Sequence, residues 1–220
     1  MDERQDTARG LDGWITLHLH PERFFAAVRG SRWDRGASVA ILIVGFAAAV
    51  DRLDESLVRS MLGFGLRGPS LPPLDSWRAF WISMPPAALV LGPIGWVVGG
   101  FWTRVRAGWC GATSPDRRAA RLVWLYSRMV ASLPIVILPA AWTLGFPSYR
   151  VAFASHDRAA PVAIPVLVLW SVFVSHRGAT TVFELDRRRA RLWFGILPAL
   201  FYGLVYSGAL VGFFLAHARA

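Results

Sequence analysis

Apolar residues collect in five long runs separated by short polar blocks. The runs cover 36–50, 79–102, 122–146, 159–175 and 192–216, with lengths of 15, 24, 25, 17 and 25 residues. A hydrocarbon core of about 30 Å takes roughly 20 helical residues at about 1.5 Å each. None of the runs holds Asp, Glu or Lys, and the only Arg among them is Arg128. The first run spans only about 22 Å as a helix, so it is expected to extend back to Trp33 or forward to Leu53 with Arg side chains snorkelling. The pattern predicts an all-α polytopic transmembrane bundle of five helices over 36–217. The spans fall at about 36–53, 79–102, 122–146, 159–175 and 192–216, preceded by a short amphipathic cytoplasmic arm over 1–35.

Within the arm, His20-Pro21-Glu22-Arg23-Phe24-Phe25-Ala26-Ala27-Val28-Arg29-Gly30 reads as a short helix, with Pro21 suited to its first position and Gly30 to the residue past its end. Phe24, Phe25 and Val28 share a face, which either lies in the headgroup layer or packs on the bundle. Just before it, Ile15, Leu17 and Leu19 alternate with Thr16, His18 and His20, a weak strand pattern. After the first run, Leu53, Leu57, Met61 and Phe64 recur near helical spacing, and the Gly- and Pro-rich stretch 63–73 reads as a loop.

Composition supports the membrane reading. Of 220 residues, 55% are hydrophobic and 17% charged, against about a quarter charged in soluble domains, and the mean hydropathy is +0.42. Soluble enzymes, secreted disulfide scaffolds and nucleic-acid modules are thereby excluded. The net charge of +10 changes little, because all 24 basic residues are Arg and sit in short blocks between the runs. That Arg skew fits GC-rich coding and a bacterial origin. The single cysteine, Cys110, cannot pair within the chain. The polar opening at 1–10 lacks the apolar core of a secretory signal, so the first span is expected to direct insertion.

Charge distribution sets the expected orientation. Sixteen Arg residues flank the amino-terminal, second and fourth connections, and seven flank the opposite side. The amino terminus is then cytoplasmic and the carboxyl terminus outside, in a bacterial inner membrane. Trp33, Trp77, Trp81, Trp102, Trp124, Trp142 and Trp193 fall near span ends, where aromatic belts sit; Trp96 and Trp170 are deeper and expected between helices.

Candidate chemistry is sparse. Arg128 is the one ionisable residue well inside a run. It either contacts an anion or lipid headgroup or snorkels inward beside Arg121, with Glu184 or Asp186 as an available partner. Arg187, Arg188, Arg189 and Arg191, before the last run, can attract anionic lipid at about 1 kcal/mol per charge, and the same block also serves topology. Gly95 and Gly99, and Gly208 and Gly212, repeat the GxxxG spacing that lets helix backbones approach, within one chain or between chains. Eight prolines lie in the runs, where they kink helices or free carbonyls to line a cavity. Asp51-Arg52-Leu53-Asp54-Glu55 is a single acidic cluster without the second that a diphosphate site needs. His18 and His20 are too few to close a metal site. No nucleophile, metal-protease, phosphate-loop or dinucleotide motif is present, so no catalytic residue, metal or cofactor is expected.

Several local strings carry a resemblance. Pro21-Glu22-Arg23-Phe24-Phe25 precedes the first span, and Gly99-Gly100-Phe101-Trp102 leaves the second. Pro115-Asp116-Arg117-Arg118-Ala119-Ala120-Arg121-Leu122-Val123 opens the third, followed by Tyr126-Ser127 and Pro134. With the five-span pattern, these strings resemble bacterial members of the Yip family (Ypt-interacting proteins). The resemblance implies an amino-in, carboxyl-out bundle without enzymatic activity. Eukaryotic relatives engage Rab-type GTPases through longer cytosolic arms than the one here. The expected role is a membrane organiser or adaptor that binds lipids, anionic ones included, or a membrane protein partner, and no nucleic acid. The alternative is a small transporter or channel built on proline-broken helices.

Overall fold

In a computed structural model of the chain, the described residues are 11–29, 35–61, 72–155 and 160–217. The tail at 1–10, Gly30, Trp33, Phe64 and most of the 63–73 stretch lie outside them. Every regular element among the described residues is helical. In chain order they are α1 (Leu11–Leu19), α2 (Pro21–Val28), α3 (Arg35–Met61), α4 (Pro72–Asp75), α5 (Trp77–Trp109), α6 (Arg117–Gly145), α7 (Tyr149–Ala154), α8 (Ala160–Val182) and α9 (Arg187–Ala190). A π-helical turn (Arg191–Ile196) then leads into α10 (Leu197–His217).

Four segments are long and apolar enough to cross a membrane: Gly36–Ser60, Trp77–Trp109, Arg117–Gly145 and Arg187–Gly208. By length and composition the chain is a multi-pass membrane protein, with helices as its only regular elements among the described residues. The fourth apolar run lies in α8, which is not among those four; its second half carries His176, Arg177, Thr180 and Thr181. The helices also outrun the apolar runs. Thus α3 continues through Asp51, Asp54 and Glu55 to Met61, because Leu53 and Leu57 keep the buried face of Ala49 and Val50 in register. Arg52 and Arg59 both bond Glu55 on its outer face.

Helix starts follow capping chemistry. Asp116 accepts the Ala119 N–H at 2.7 Å to open α6, Ser148 that of Val151 to open α7, and Asp186 that of Arg189 to open α9. Pro85, Pro86 and Pro93 do not break α5, which stays helical throughout. At the far end of α6, Trp77 Nε1 donates to the Phe146 carbonyl at 2.6 Å, while Trp81 Nε1 donates to Thr143, whose hydroxyl bonds back to the Pro139 carbonyl. Indole donors thus tie α5 to the last turn of α6.

The amino-terminal pattern is corrected at one point. Leu11–Leu19 is a helix rather than a strand: Gly13, Leu17, Pro21 and Phe24 face inward at three- to four-residue spacing, while Ile15 and Leu19 are exposed. His18 Nδ1 lies 3.0 Å from the Trp14 carbonyl one turn back, and its ring packs on the Trp14 indole. The apolar face of α2 packs on the bundle. Phe25 lies against Gly178 of α8, and Phe24 meets Tyr126 of α6 edge to face at 5.0 Å. Glu22 adds an exposed 2.6 Å ion pair with Arg177. Because exposed pairs contribute little, Glu22→Gln is expected to cost no more than about 1 kcal/mol. Hydrogen exchange should show α2 still protected in this variant, held by its two phenylalanines.

The helix α6 sits at the centre, packed on α3, α5 and α8, while α10 packs on α8 and the π-helical turn. Two apolar clusters close the ends. One joins Leu17, Phe24, Phe25, Cys110, Val123 and Phe194 beneath the Arg-rich connections. The other gathers Phe80, Trp142 and Tyr149 at the opposite end.

Candidate functional site

Where α5, α6, α8, the π-helical turn and α10 meet, they border a half-open cavity of about 480 Å³, within the range of small-ligand sites. Each element contributes one helical face, at spacings of three and four residues. Trp102 and Arg106 come from α5, Trp124, Ser127 and Arg128 from α6, and Ser171 and Ser175 from α8. Trp193 and Phe194 come from the π-helical turn; Pro198, Phe201 and Tyr202 from α10. The π turn adds a residue to the helical count, which re-aims the side chains that follow, and such turns favour functional positions.

Two guanidinium groups dominate the interior. Arg106 reaches the Trp193 carbonyl at 3.4 Å with Nη1, and its charged group sits 4.6 Å from the centre of the Phe194 ring. Its Nε is buried without a hydrogen-bond partner among the described residues. The Arg128 guanidinium stands 5.8 Å from the Tyr202 ring and joins no ion pair among them. Neither Glu184 nor Asp186 is its partner: Asp186 is spent on the α9 cap, where the Arg189 N–H holds its carboxyl below the usual range. Arg106 and Arg128 lie close enough for their charges to repel, and the carboxylate whose field reaches Arg128 is Asp51 on α3. Ring faces offset part of the cost of burying a cation, about 0.5–2 kcal/mol each.

Two of the serine hydroxyls have local partners. Ser127 donates to the Val123 carbonyl at 2.6 Å and Ser171 to the Val168 carbonyl at 2.7 Å. Ser175, Tyr202 and the indoles of Trp102, Trp124 and Trp193 add neutral donors, and the charged donors of the lining are the two arginines. Leu197 and Phe201 are exposed beside the cavity and continue into exposed Leu200 and Leu204 along α10. The interior is cationic and its rim apolar.

The other residues marked by sequence fall elsewhere. Arg187, Arg188, Arg189 and Arg191 are exposed on α9 and the start of the π turn, just before Trp193 and Phe194 of the cavity lining in the chain, and none of the four lines the cavity. Gly95 and Gly99 face the Trp124 indole of α6: a methyl at Gly99 would overlap the ring, and one at Gly95 would stand 3.0 Å from it. The close approach thus admits an indole against one helix, and that indole lines the cavity. Gly208 is exposed and approaches nothing within 4 Å, and the surroundings of Gly212 lie outside the described residues. Trp170, expected between helices, is 40% exposed on the outer surface against Phe173. Trp96 lies under the Arg121 guanidinium at 4.4 Å. Among the described residues no group of three His, Cys, Asp or Glu side chains could hold a metal ion.

Arg106 was counted in the sequence only as an orientation signal, and nothing local marks it as a site residue. The available signal was the pairing of Trp102 with Arg106 and of Trp124 with Arg128, an aromatic and a cation one helical turn apart on two successive helices. Compared with known proteins, the chain matches no family model, no curated protein and no solved structure.

Proposed function

We propose that the chain is a non-enzymatic integral membrane protein resembling the Yip family, an organiser or adaptor that binds lipid or a membrane partner. The observation that carries this reading is the cavity itself: two arginines, neither in an ion pair among the described residues and only Arg128 in the field of a carboxylate, Asp51 outside the lining, ringed by indole and phenyl groups. The proposed topology has five crossings, with α8 as the fourth. Its 23 residues give about 34 Å of helix at about 1.5 Å each, and it packs between α6 and α10. The Arg count then sets the amino end in the cytoplasm and the carboxyl end outside, in a bacterial inner membrane. Arg187, Arg188, Arg189 and Arg191 draw anionic headgroups to that inner face.

Two experiments test this. Purification in mild detergent with crosslinking should recover bound lipid or a partner protein, and recovery of neither removes the reading. With Cys110 replaced, single cysteines placed near the two chain ends should be labelled from opposite sides of the membrane; labelling from one side removes the five-span topology.

A second reading, transport, is favoured by one observation. Asp51 and Asp54 lie inside the helical segment Gly36–Ser60, with Asp51 in the field of Arg128, so acidic groups do occupy a crossing helix. Flux through proteoliposomes that is lost in Arg128→Ala would establish this reading in place of the first.

A further inference from the structure

We infer that the cavity between α5, α6, α8 and α10 holds the phosphate of an anionic phospholipid, bridged by Arg106 and Arg128, with its acyl chains lying along the outer face of α10. The inference deepens the lipid-binding reading above and rests on it.

Charge comes first. Two guanidiniums share one cavity of about 480 Å³ and none of its lining residues is acidic. Like charges in a low-dielectric space repel, and a cation at membrane depth costs about 2.5–3.5 kcal/mol on insertion scales unless it is offset. The ring contacts at Phe194 and Tyr202 orient the two groups without neutralising them. Donor geometry comes second. The buried Nε of Arg106 has no hydrogen-bond partner among the described residues and its Nη1 contact is long at 3.4 Å. A phosphate supplies several acceptor oxygens to such planar donors and draws charge-assisted bonds from both. Ser127 and Ser171 already donate to their own helices, and Arg106 and Arg128 are the only charged residues of the lining, so the cavity discriminates by charge through the arginines.

The rim selects a lipid over a free anion. Phe201 and Leu197 border the cavity with exposed apolar surface, and Leu200 and Leu204 prolong it down α10, with Leu204 75% exposed. A soluble anion has no use for this surface, while acyl chains cover it. The exposed arginines Arg187, Arg188, Arg189 and Arg191 sit on the chain just before the cavity residues Trp193 and Phe194 and would concentrate anionic lipid at that end of the bundle.

The test is native mass spectrometry of the full chain in detergent. It is titrated separately with phosphatidylglycerol, with phosphatidylcholine of the same acyl chains, and with inorganic phosphate. The expected result is one tightly retained phosphatidylglycerol, preferred over phosphatidylcholine. Retention should fall on the order of tenfold or more in Arg106→Gln and in Arg128→Gln, the loss of a charge-assisted bond. It should be unchanged in Arg150→Gln, which removes an equal charge from the Asp75 ion pair outside the cavity. Melting curves identify any variant that has lost its fold, and Arg106→Lys and Arg128→Lys, which keep the charge, then serve in its place with partial retention expected. Equal retention of the two lipids, or retention indifferent to both arginines, overturns this assignment while leaving general lipid or partner binding intact. Inorganic phosphate bound at the same arginines with phosphatidylglycerol excluded makes the ligand a soluble anion and also overturns it.

Discussion

Gly92→Leu is expected to be among the most damaging single substitutions in the bundle. Gly92 of α5 and Gly45 of α3 sit at the crossing of the two helices. A methyl carbon on Gly92 would collide with the Ile41 carbonyl oxygen, and one on Gly45 would collide with the Ala88 carbonyl oxygen and stand 2.6 Å from the Gly92 nitrogen. These neighbours are backbone, which cannot swing aside as a side-chain end can. In lipid the contact is held by close packing rather than by exclusion of water, so separating the backbones forfeits dispersion contacts along the crossing. The cost is expected near the upper end of overpacking effects, about 3 kcal/mol or more. Alanine at Gly108 or Gly203, where a methyl would meet nothing within 4 Å, adds a side chain without a collision and should leave stability unchanged or slightly raised. Circular-dichroism melting and size-exclusion profiles in detergent separate these outcomes. A Gly92→Leu protein that melts with the parent would mean the α3–α5 crossing is not close-packed in the membrane.

That crossing also shows where the sequence stops being informative. GxxxG draws attention to Gly95, Gly99, Gly208 and Gly212, and Gly99 does admit a side chain closely, yet the tightest backbone-to-backbone approach among the described glycines uses one glycine from each of two helices, which no spacing within a single helix reveals. The apolar runs themselves were legible because a bilayer imposes length and apolarity directly. What lay beyond their ends was not, because a helix continues wherever its backbone bonds and one buried stripe persist. Leu53 and Leu57 are buried while Arg52 and Arg59 point outward, so a charged stretch extends α3. The reverse holds over Ile15, Leu17 and Leu19, where three apolar residues alternate as in a strand but only Leu17 is buried, on the inner face of a helix.

The cavity divides in the same way. Arg128 stands out because charge inside an apolar run is rare. Arg106 does not, because its setting depends on Trp193 and Phe194, 87 and 88 positions further on. Those residues meet it across the π-helical turn, and a π turn leaves no clear trace in apolar periodicity. The aromatic partners also explain how two like charges fit into one space. Phe194 and Tyr202 each present a ring to one guanidinium, which fixes both groups while leaving donor nitrogens free for an anion.

Tyr149→Ala is the second substitution expected to have a large effect, and its conservative counterpart separates the two causes. The ring is 1% exposed, stacked on Phe80 at 5.0 Å, with Trp77 and Trp142 edge-on at 5.9 and 5.7 Å. Its hydroxyl donates to Asp54 Oδ1 at 2.6 Å and so fastens α7 to α3. Alanine removes both the ring and the bond, for an expected loss of about 3–5 kcal/mol. Phenylalanine keeps the packing and strands the carboxylate, for about 1.5–3 kcal/mol. Burial, together with the neighbouring Asp54 carboxylate, pushes the phenol above its ordinary value of 10.0. A folded pKa above the unfolded one makes this contribution complete below pH 10 and diminishing above it, since the unfolded chain ionises there and the folded protein does not. Melting followed from neutral to strongly alkaline pH should therefore show a steeper decline in the parent than in Tyr149→Phe. Parallel curves for the two proteins would mean that the phenol is not buried against Asp54, and that α7 is joined to α3 by its ring contacts alone.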